Sequence, residues 1–328
     1  LPDLARRKII VADTEIAEAE LDRLDDLGAR AVTLGESDYP AALAEIDDAP
    51  PVLSVLGDPT HLSRPGVGIV GARNASANGR RLAETLARDL ADAGVPVISG
   101  LARGIDTAAH TGAIAGDGIT VAAMAGGIDI VYPPENGDLY SRIARTGAAV
   151  SEMPPGTKPQ ARHFPRRNRI VSGLSLAVVV VEAAQRSGSL ITARMAGEQG
   201  RDVLAVPGSP LDPRSYGANH LIREGASLVR DADDVLEAIR PMLDSPKGAE
   251  ITAKAPHDKA AGDHEAGPVP GAPEHRDAVV NCLSPEPVAV DEIVRRCQLT
   301  APVVRTILLE LELAGRLERH PGNRVAAI

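Results

Sequence analysis

The sequence predicts an α/β protein that consists of a parallel sheet with helices on both faces and a small, separate C-terminal domain. Short Val/Ile runs alternate with helical patterns over residues 63–242, which is typical of βαβ units. Aromatic residues make up only 2% of the chain, so aliphatic side chains must fill the interior, as is common in parallel sheets covered by helices. Helical periodicity returns near the C-terminus, after a stretch that lacks it.

Composition divides the 328 residues into four predicted regions. Residues 1–62 form a partial N-terminal segment with an amphipathic helix from Glu15 to Gly28 and two short extended pieces. Residues 63–242 form the sheet domain. Residues 243–272 are rich in Ala, Gly, Pro and charge, which predicts a flexible linker, and residues 273–328 form the C-terminal domain.

Five predicted strands of the sheet domain each end in a glycine-bearing loop: Val67–Val70, Val95–Ser99, Thr120–Met124, Leu176–Val181 and Val203–Val206. In an open parallel sheet these loops emerge at one edge, where ligands bind at the topological switch point. Helix N-termini at that edge offer free N–H groups and a positive dipole end to anions. Arg73 and Arg103 lie in two of the loops, and Ser187, Gly188 and Ser189 form another. Together the loops predict an anionic ligand.

Residues 153–181 contain no acidic residue, although the chain has a net charge of -10. This window holds Phe164, the one phenylalanine of the sequence, and the basic residues Lys158, Arg162, Arg166, Arg167 and Arg169. An acidic protein can bind a polyanion only through a locally basic surface, so we predict that the window is functional. The prolines in it predict an extended loop. A solvated basic loop without a function is the alternative.

The composition also excludes one mode of nucleic-acid binding. Proteins that stack successive bases on aromatic platforms need several such rings, whereas this chain has four Tyr, one Phe and no Trp. Cys282 and Cys297 lack the spacing of metal ligands, and we expect small buried thiols in a reducing compartment. The sequence shows no signal peptide or stretch of about 18 apolar residues, so we expect a cytoplasmic protein with no membrane segment. It begins at Leu1 instead of Met, which suggests that a preceding segment is missing.

Three patterns that could indicate an enzyme are weak. The run from Gly66 to Gly71 matches G-x-G-x-x-G, but the predicted strand lies inside the motif instead of before it, so NAD binding is disfavoured and no cofactor is expected. Asp106 and His110 lie four residues apart on a predicted helix, which is usual for a pair of surface side chains. No serine has a G-x-S-x-G context. We therefore expect a binding protein, with no catalytic residues and no metal.

Taken together, segments between about residues 45 and 240 resemble the DNA-processing protein A (DprA, also called Smf) family. They are GIVGARNAS (68–76), SGLARGIDTAAH (99–110), GIDIVYPPEN (127–136), SEMPPGTK (151–158), HFPRRNRIVSGLS (163–175) and SGSLITA (187–193). The resemblance implies an extended Rossmann-like domain that binds single-stranded DNA and acts in natural transformation and recombination. It also implies protection of incoming strands, a role in loading the RecA recombinase onto them, and a homodimer.

The resemblance further implies a DNA-binding pocket formed by the turn after the first strand and by the basic window. Its residues are Gly71, Ala72, Arg73, Ser76, Lys158, Phe164, Arg166, Arg167, Asn168 and Arg169. The loop argument adds Arg103, Ser187, Gly188 and Ser189. Ala72 stands where the family often has Ser, Met153 replaces a frequent aromatic residue, and the front of the chain lacks a full N-terminal helical domain. If about four cations neutralise phosphates, log affinity should fall with log salt at a slope of about -3.

The C-terminal domain is similar to the winged-helix domain that many members of this family carry. Its pattern predicts helices over Arg276–Cys282, Val290–Cys297 and Ala301–Ala314, followed by two strands around Pro321-Gly322. The third helix offers mainly Arg305 for DNA contact and is otherwise apolar and acidic. This favours protein interaction or weak DNA contact over sequence-specific reading.

Two other functions remain open at this point. The LOG-type Rossmann enzymes, which cleave nucleoside monophosphates, resemble this fold and use a G-G-x-G-T-x-x-E turn. In the comparable stretch of this chain Thr192 stands where their catalytic Glu is expected, which disfavours the enzyme. A transcription regulator that acts through the winged helix is a weaker alternative, and it would require a preferred duplex sequence.

Overall fold

The computed structural model describes residues 13–243, 273–320 and 322–328. Its helices are α1 (Thr14–Asp26), α2 (Ala41–Ala44), α3 (Ala77–Asp92), α4 (Ile105–Ala115), α5 (Gly137–Thr146), α6 (His163–Gly173), α7 (Gly188–Glu198), α8 (Tyr216–Arg223), α9 (Ala232–Leu243), α10 (Pro273–Cys282), α11 (Val290–Cys297) and α12 (Ala301–Leu313). Its strands are β1 (Ala29–Thr33), β2 (Val52–Gly57), β3 (Gly66–Gly71), β4 (Val97–Ser99), β5 (Thr120–Met124), β6 (Ala148–Ser151), β7 (Ser175–Val181), β8 (Asp202–Ala205), β9 (Ser227–Leu228), β10 (Val288–Ala289), β11 (Leu317–His320) and β12 (Arg324–Ala327).

The predicted α/β fold class is confirmed. Within the described residues, nine strands form one sheet in the order β1-β2-β6-β5-β4-β3-β7-β8-β9. The strands from β6 to β9 in that order are parallel to one another, whereas β1 and β2 join the edge in antiparallel pairing. The chain proceeds from β3 to β6 on one side and then returns to β7 on the other side of β3. The topological switch point therefore lies between β3 and β7, where ligands bind in sheets of this type.

The valine run of β7 explains how this sheet is stabilised. Val178 and Val180 are buried in the hydrophobic core on one face, and Val179 and Val181 are buried in the core on the other. Successive side chains of a strand point to opposite faces, so a continuous apolar run is what a strand covered by helices on both sides requires. These aliphatic layers fix the edge on which the loops converge.

The N-terminal segment extends this same sheet. Ser54 of β2 pairs with Ser151 of β6, and β1 pairs with β2. Helix α1 begins at Thr14 after the capping residue Asp13, whose side chain accepts a hydrogen bond from the Glu15 amide. The predicted boundary at residue 62 stays a prediction, as do the other two domain boundaries.

The predicted extended loop within residues 153–181 is partly wrong, because residues 163–173 form helix α6. Pro165 lies in the first turn of α6, where backbone N–H groups have no partner within the helix, so its missing N–H breaks no hydrogen bond. The arginines that follow therefore project from a helix. Strand β6, composed of Ala148–Ser151, was not predicted.

The predicted winged-helix architecture is confirmed: α10, α11 and α12 pack on a three-stranded sheet in the order β10-β12-β11. The short strand β10 was not predicted. In the predicted wing turn, Gly322 has a φ of +82°, a value that glycine adopts readily, whereas residue 321 lies outside the described residues. The predicted linker also lies outside the described residues, apart from residue 243, which ends α9.

Candidate nucleic-acid interface

The loops after β3 and β7 meet at the switch point because the two strands lie in close contact there. At Gly71, the last residue of β3, a Cβ atom would lie 1.8 Å from the carbonyl oxygen of Val181. Only glycine fits at that position without moving a backbone. The close approach brings the Ala72-Arg73 turn beside the loop that leads to Ser187 and to α7.

Two clefts open at this edge. The first, which we call the Tyr132 cleft, has a volume of about 190 Å³ and reaches Gly126 and Tyr132. The second, the Ser187 cleft, has a volume of about 520 Å³ and reaches Gly71, Arg186 and Ser187. Both are lined by the same five residues, which form the wall between them: Arg73, Asn74, Ala102, Phe164 and Arg167.

A cation and two aromatic rings contact one another at this wall. The guanidinium carbon of Arg73 lies 4.8 Å from the centroid of the Phe164 ring. The ring of Tyr132 meets Phe164 edge-on, with centroids 5.8 Å apart and an angle of 64° between the planes. Arg73 is exposed and Phe164 is partly buried, so the charge faces solvent while the ring is held in place. A phosphate and a base can therefore be contacted at adjacent positions.

Arg167 is the buried member of the wall. Its side chain is 6% exposed, and its Nη1 lies 3.9 Å from Oδ2 of Asp106, the nearest carboxylate. Burial lowers the pKa of Arg167 and raises that of Asp106, whereas the attraction between them opposes both shifts. The amides of Gly100 and Ala102 donate to the Asp106 carboxylate, which favours its ionised form. The Nε atom of Arg167 is buried without a hydrogen-bond partner.

Asp106 and His110 are both buried, so our interpretation of them as a surface pair is wrong. His110 accepts a hydrogen bond at Nε2 from the Leu101 amide, and its Nδ1 lies 2.7 Å from the Thr120 hydroxyl. Burial, with a smaller effect of Arg167, lowers the pKa of His110 to about 3. Both side chains hold the loop after β4 in place beneath the wall.

Gly100 leaves the space that the Arg167 guanidinium occupies. A Cβ atom at residue 100 would lie 1.1 Å from Nη1 of Arg167. Because Arg167 is buried and directed at Asp106, its side chain cannot move aside without separating the two charges. The glycine in the loop after β4 thus determines the position of an arginine that follows it by 67 residues in α6.

Three predicted site residues make structural contacts instead of lining the shared wall. The buried hydroxyl of Ser76 accepts from the Gly79 amide as the N-cap of α3 and donates to Glu182. Arg169 is buried and forms ion pairs with Glu152 at 2.6 Å and with Asp48 at 3.2 Å. Arg166 is exposed and lies 3.2 Å from the same Glu152 oxygen. Acidic residues outside the acid-free window thus neutralise several of its arginines.

The remaining predicted residues lie around the clefts. Gly71, Ala72, Asn168, Ser187, Gly188 and Ser189 line the Ser187 cleft. Arg103 is exposed, lines the Tyr132 cleft and pairs with Glu135. Lys158 is exposed and is not among the residues that line either cleft, but the adjacent Thr157 carbonyl accepts from the Gly127 amide at the rim of the Tyr132 cleft.

The cleft residues that the sequence did not predict include Asn74, Tyr132 and Arg186. Arg186 directly precedes Ser187, which caps α7, so a cation next to a helix N-terminus was the signal that could have identified it. In the described part of the chain no group of three His, Cys, Asp or Glu side chains could hold a metal ion. No helix among the described residues is long and apolar enough to cross a membrane.

The fold and the site define a Rossmann-like α/β protein with a cationic, ring-bearing interface at the switch point and an appended winged helix. Comparison with known families agrees. The model of the DNA recombination-mediator protein A family matches residues 30–240, and the model of the DprA winged helix domain matches residues 263–323. The chain belongs to the DNA recombination-mediator protein A family, as the sequence resemblance predicted.

Known proteins support this assignment. The DNA processing protein DprA of Bacillus subtilis is 44% identical over 213 residues, which cover 65% of this chain and 72% of the relative. The DprA of Streptococcus pneumoniae is 47% identical over 198 residues, covering 60% and 70%. The X-ray structure of DprA from Streptococcus pneumoniae matches with a TM-score of 0.65 and 42% identity, covering 69% of this chain and 78% of that one.

A second solved structure concerns the single-stranded DNA binding mode of DNA processing protein A from Helicobacter pylori. It matches with a TM-score of 0.59 and 29% identity, covering 65% of this chain and 96% of that one. These relatives favour a DNA-processing role over the LOG-type enzyme. Consistent with that, the residue at the expected glutamate position is Thr192, which is 2% exposed.

Proposed function

We propose that this protein binds single-stranded DNA across the wall between the Tyr132 and Ser187 clefts, and that it acts by binding and not by catalysis. In this proposal it protects incoming strands in the cytoplasm during natural transformation and helps to load RecA onto them, working as a homodimer. The Helicobacter pylori relative, described as binding single-stranded DNA, supports the choice of ligand.

The single observation that carries the proposal is the contact between Arg73 and Phe164. An exposed guanidinium lies 4.8 Å from a partly buried ring, and both line the two clefts. A phosphate on Arg73 places the neighbouring base within reach of the ring, and stacking on a ring tolerates any base. A base paired in a duplex is stacked between its neighbours and cannot enter such a cleft, so the geometry favours a single strand.

The proposed set of binding residues is smaller than the set that the sequence predicted. We retain Arg73, Phe164, Asn168 and the Ser187 loop, add Arg186, and assign Lys158 to the rim. Ser76 and Arg169 stabilise the fold in this proposal, because their polar atoms contact Glu182, Glu152 and Asp48.

Mobility-shift titrations with single- and double-stranded oligonucleotides test the proposal. Arg73→Ala should weaken single-strand affinity at least about fourfold at about 0.15 M salt and make the slope of log affinity against log salt less negative by about 0.7. Arg142→Ala, which removes an exposed arginine of α5 that lines neither cleft, is the matched control and should bind like the wild type. Equal single-strand affinity for all three proteins would remove the proposed site.

Two further measurements address the finer parts of the proposal. Sedimentation of the free protein should give the mass of a dimer. Adding the protein to strands coated with a single-stranded DNA-binding protein should increase the rate at which RecA assembles on them, and Arg73→Ala should reduce that gain. A monomer, or an unchanged rate of assembly, would contradict the corresponding part.

A further inference from the structure

A third cleft lies between α3, α4 and the winged-helix domain. We call it the arginine groove; it has a volume of about 860 Å³. Among the described residues, seven arginines and two glutamates line it, which leaves an excess of five positive charges in a protein whose net charge is -10. Arg73, Asn74 and Arg103 lie at one end and also line the Tyr132 cleft, so the groove continues directly from the proposed binding site.

Part of this charge is not neutralised by the protein itself. Four of the seven arginines pair with carboxylates: Arg88 with Asp89 at 3.2 Å, Arg103 with Glu135, Arg295 with Glu292, and Arg296 with Glu84 at 2.8 Å. Arg81 is exposed, and within the described residues it forms no ion pair with a carboxylate. Arg80 is partly buried, and its Nε atom lacks a hydrogen-bond partner. Arg81 is thus a cation without a carboxylate partner, and Arg80 has a donor without an acceptor, and both observations favour an anionic ligand in the groove.

The spacing of the cations suits a repeating anion. Arg81 and Arg88 lie seven residues apart on α3, so they lie on one face of the helix and about 10 Å apart along its axis. Two cations repeated along one helix face suit a ligand that carries negative charges at intervals along its length, as the phosphates of a nucleic-acid strand do. Both side chains are exposed to the solvent of the groove.

The winged-helix domain closes the far side with its own basic residues. Arg295, Arg296 and Gln298 line the groove at the end of α11 and in the turn that leads to α12. The domain is attached to the sheet domain by Arg214, which donates to the carbonyl oxygens of Asn281 and Leu283, and by the Arg296–Glu84 pair. Because these contacts fix its position, the basic end of α11 faces α3.

We propose that the bound strand continues from Arg73 through the arginine groove, so that α3 and the winged helix contact its phosphates. This inference rests on the proposed single-strand binding at the two clefts and extends its path. It favours a nucleic acid over an acidic protein segment, because the groove shares three lining residues with a cleft that offers rings to bases. It also gives the winged helix a DNA contact at Arg295 that does not depend on base sequence.

Fluorescence anisotropy with two oligothymidylates tests this path. The short strand, of about 6 nucleotides, is long enough only for the two clefts, whereas the long strand, of about 20 nucleotides, exceeds the usual site size of a single-strand binder and can also reach the groove. Arg81→Ala/Arg88→Ala should weaken the long strand about tenfold at about 0.15 M salt and make its salt slope less negative by about 1.4, while the short strand binds as before. Arg81→Lys/Arg88→Lys keeps both charges and should bind the long strand like the wild type.

The control is Arg142→Ala/Arg145→Ala, which removes two exposed arginines of α5 outside the groove and should leave both strands unaffected. The melting temperature of each variant should match that of the wild type, because all four arginines are exposed. If Arg81→Ala/Arg88→Ala binds the long strand normally, or weakens both strands equally, the groove is not the path, although binding at the clefts stands. If the wild type binds neither strand, the proposed function itself fails.

Discussion

Replacing Phe164 by leucine removes the ring of the wall between the two clefts and keeps an apolar side chain there. A base stacked on an aromatic side chain contributes about 1 to 3 kcal/mol, so the affinity for a single strand should fall about 5-fold to 150-fold. The salt slope should stay as in the wild type, because no charge is removed. Phe164 is only partly buried, so the change should cost less than about 1.5 kcal/mol of stability.

The assay is a titration with an oligothymidylate and with an abasic strand of the same length. The leucine variant should lose affinity for the first and bind the second like the wild type, since the abasic strand has no base to stack. Tyr216→Leu is the matched control, because Tyr216 is an aromatic residue that is 53% exposed, stacks on His220 and lines neither cleft. Equal losses on both strands would refute stacking and indicate that the ring only positions Arg73.

Two further predictions concern stability. His110 has a pKa of about 3 in the folded protein and about 6.5 in the unfolded chain, so the unfolded chain binds the proton more readily. The free energy of unfolding should therefore fall by about 2 to 3 kcal/mol between pH 7 and pH 4.5. Unfolding in denaturant should show His110→Gln to be less acid-sensitive than the wild type; parallel pH profiles would contradict this. Arg169→Met removes the buried cation beside Glu152 and leaves only the exposed Arg166 there, so it should cost about 1 to 3 kcal/mol, measured by thermal unfolding, with the strand affinity of the folded protein unchanged. Weaker binding at an unchanged melting temperature would instead make Arg169 a binding residue.

The strands that the sequence predicts are those whose pattern is local. The valine run that ends at Val181 identifies β7 because only a strand covered on both faces buries every side chain. Strand β6 was missed because its Ala148 and Ala149 carry little β propensity, and its place in the sheet depends on pairing with β2 and β5. The converging loops at the switch point follow from topology, and the sequence predicted them correctly.

Helix α6 could not be predicted for a different reason. Its proline and arginines look like part of a basic loop, whereas acidic residues distant in sequence stabilise the helix. Arg167 forms an ion pair with Asp106, and Arg169 forms ion pairs with Asp48 and Glu152. A local pattern cannot show which cations of a run find such partners. For the same reason, Lys158 and Phe164 could be singled out by type, while the contact of Phe164 with Arg73 could not.

The close fit of Gly100 against Arg167 limits the order in which substitutions can accumulate at these two positions. Any side chain at residue 100 collides with the guanidinium at residue 167, whereas a shorter residue at 167 leaves the glycine undisturbed. In a library that varies both positions, substitutions of Gly100 should survive only in chains that have already lost the arginine. A chain that has lost Arg167 leaves Asp106 buried without its cation, so variants with this single substitution should rarely be tolerated. The two residues are therefore expected to be inherited together, although each lies in a different segment of the sequence.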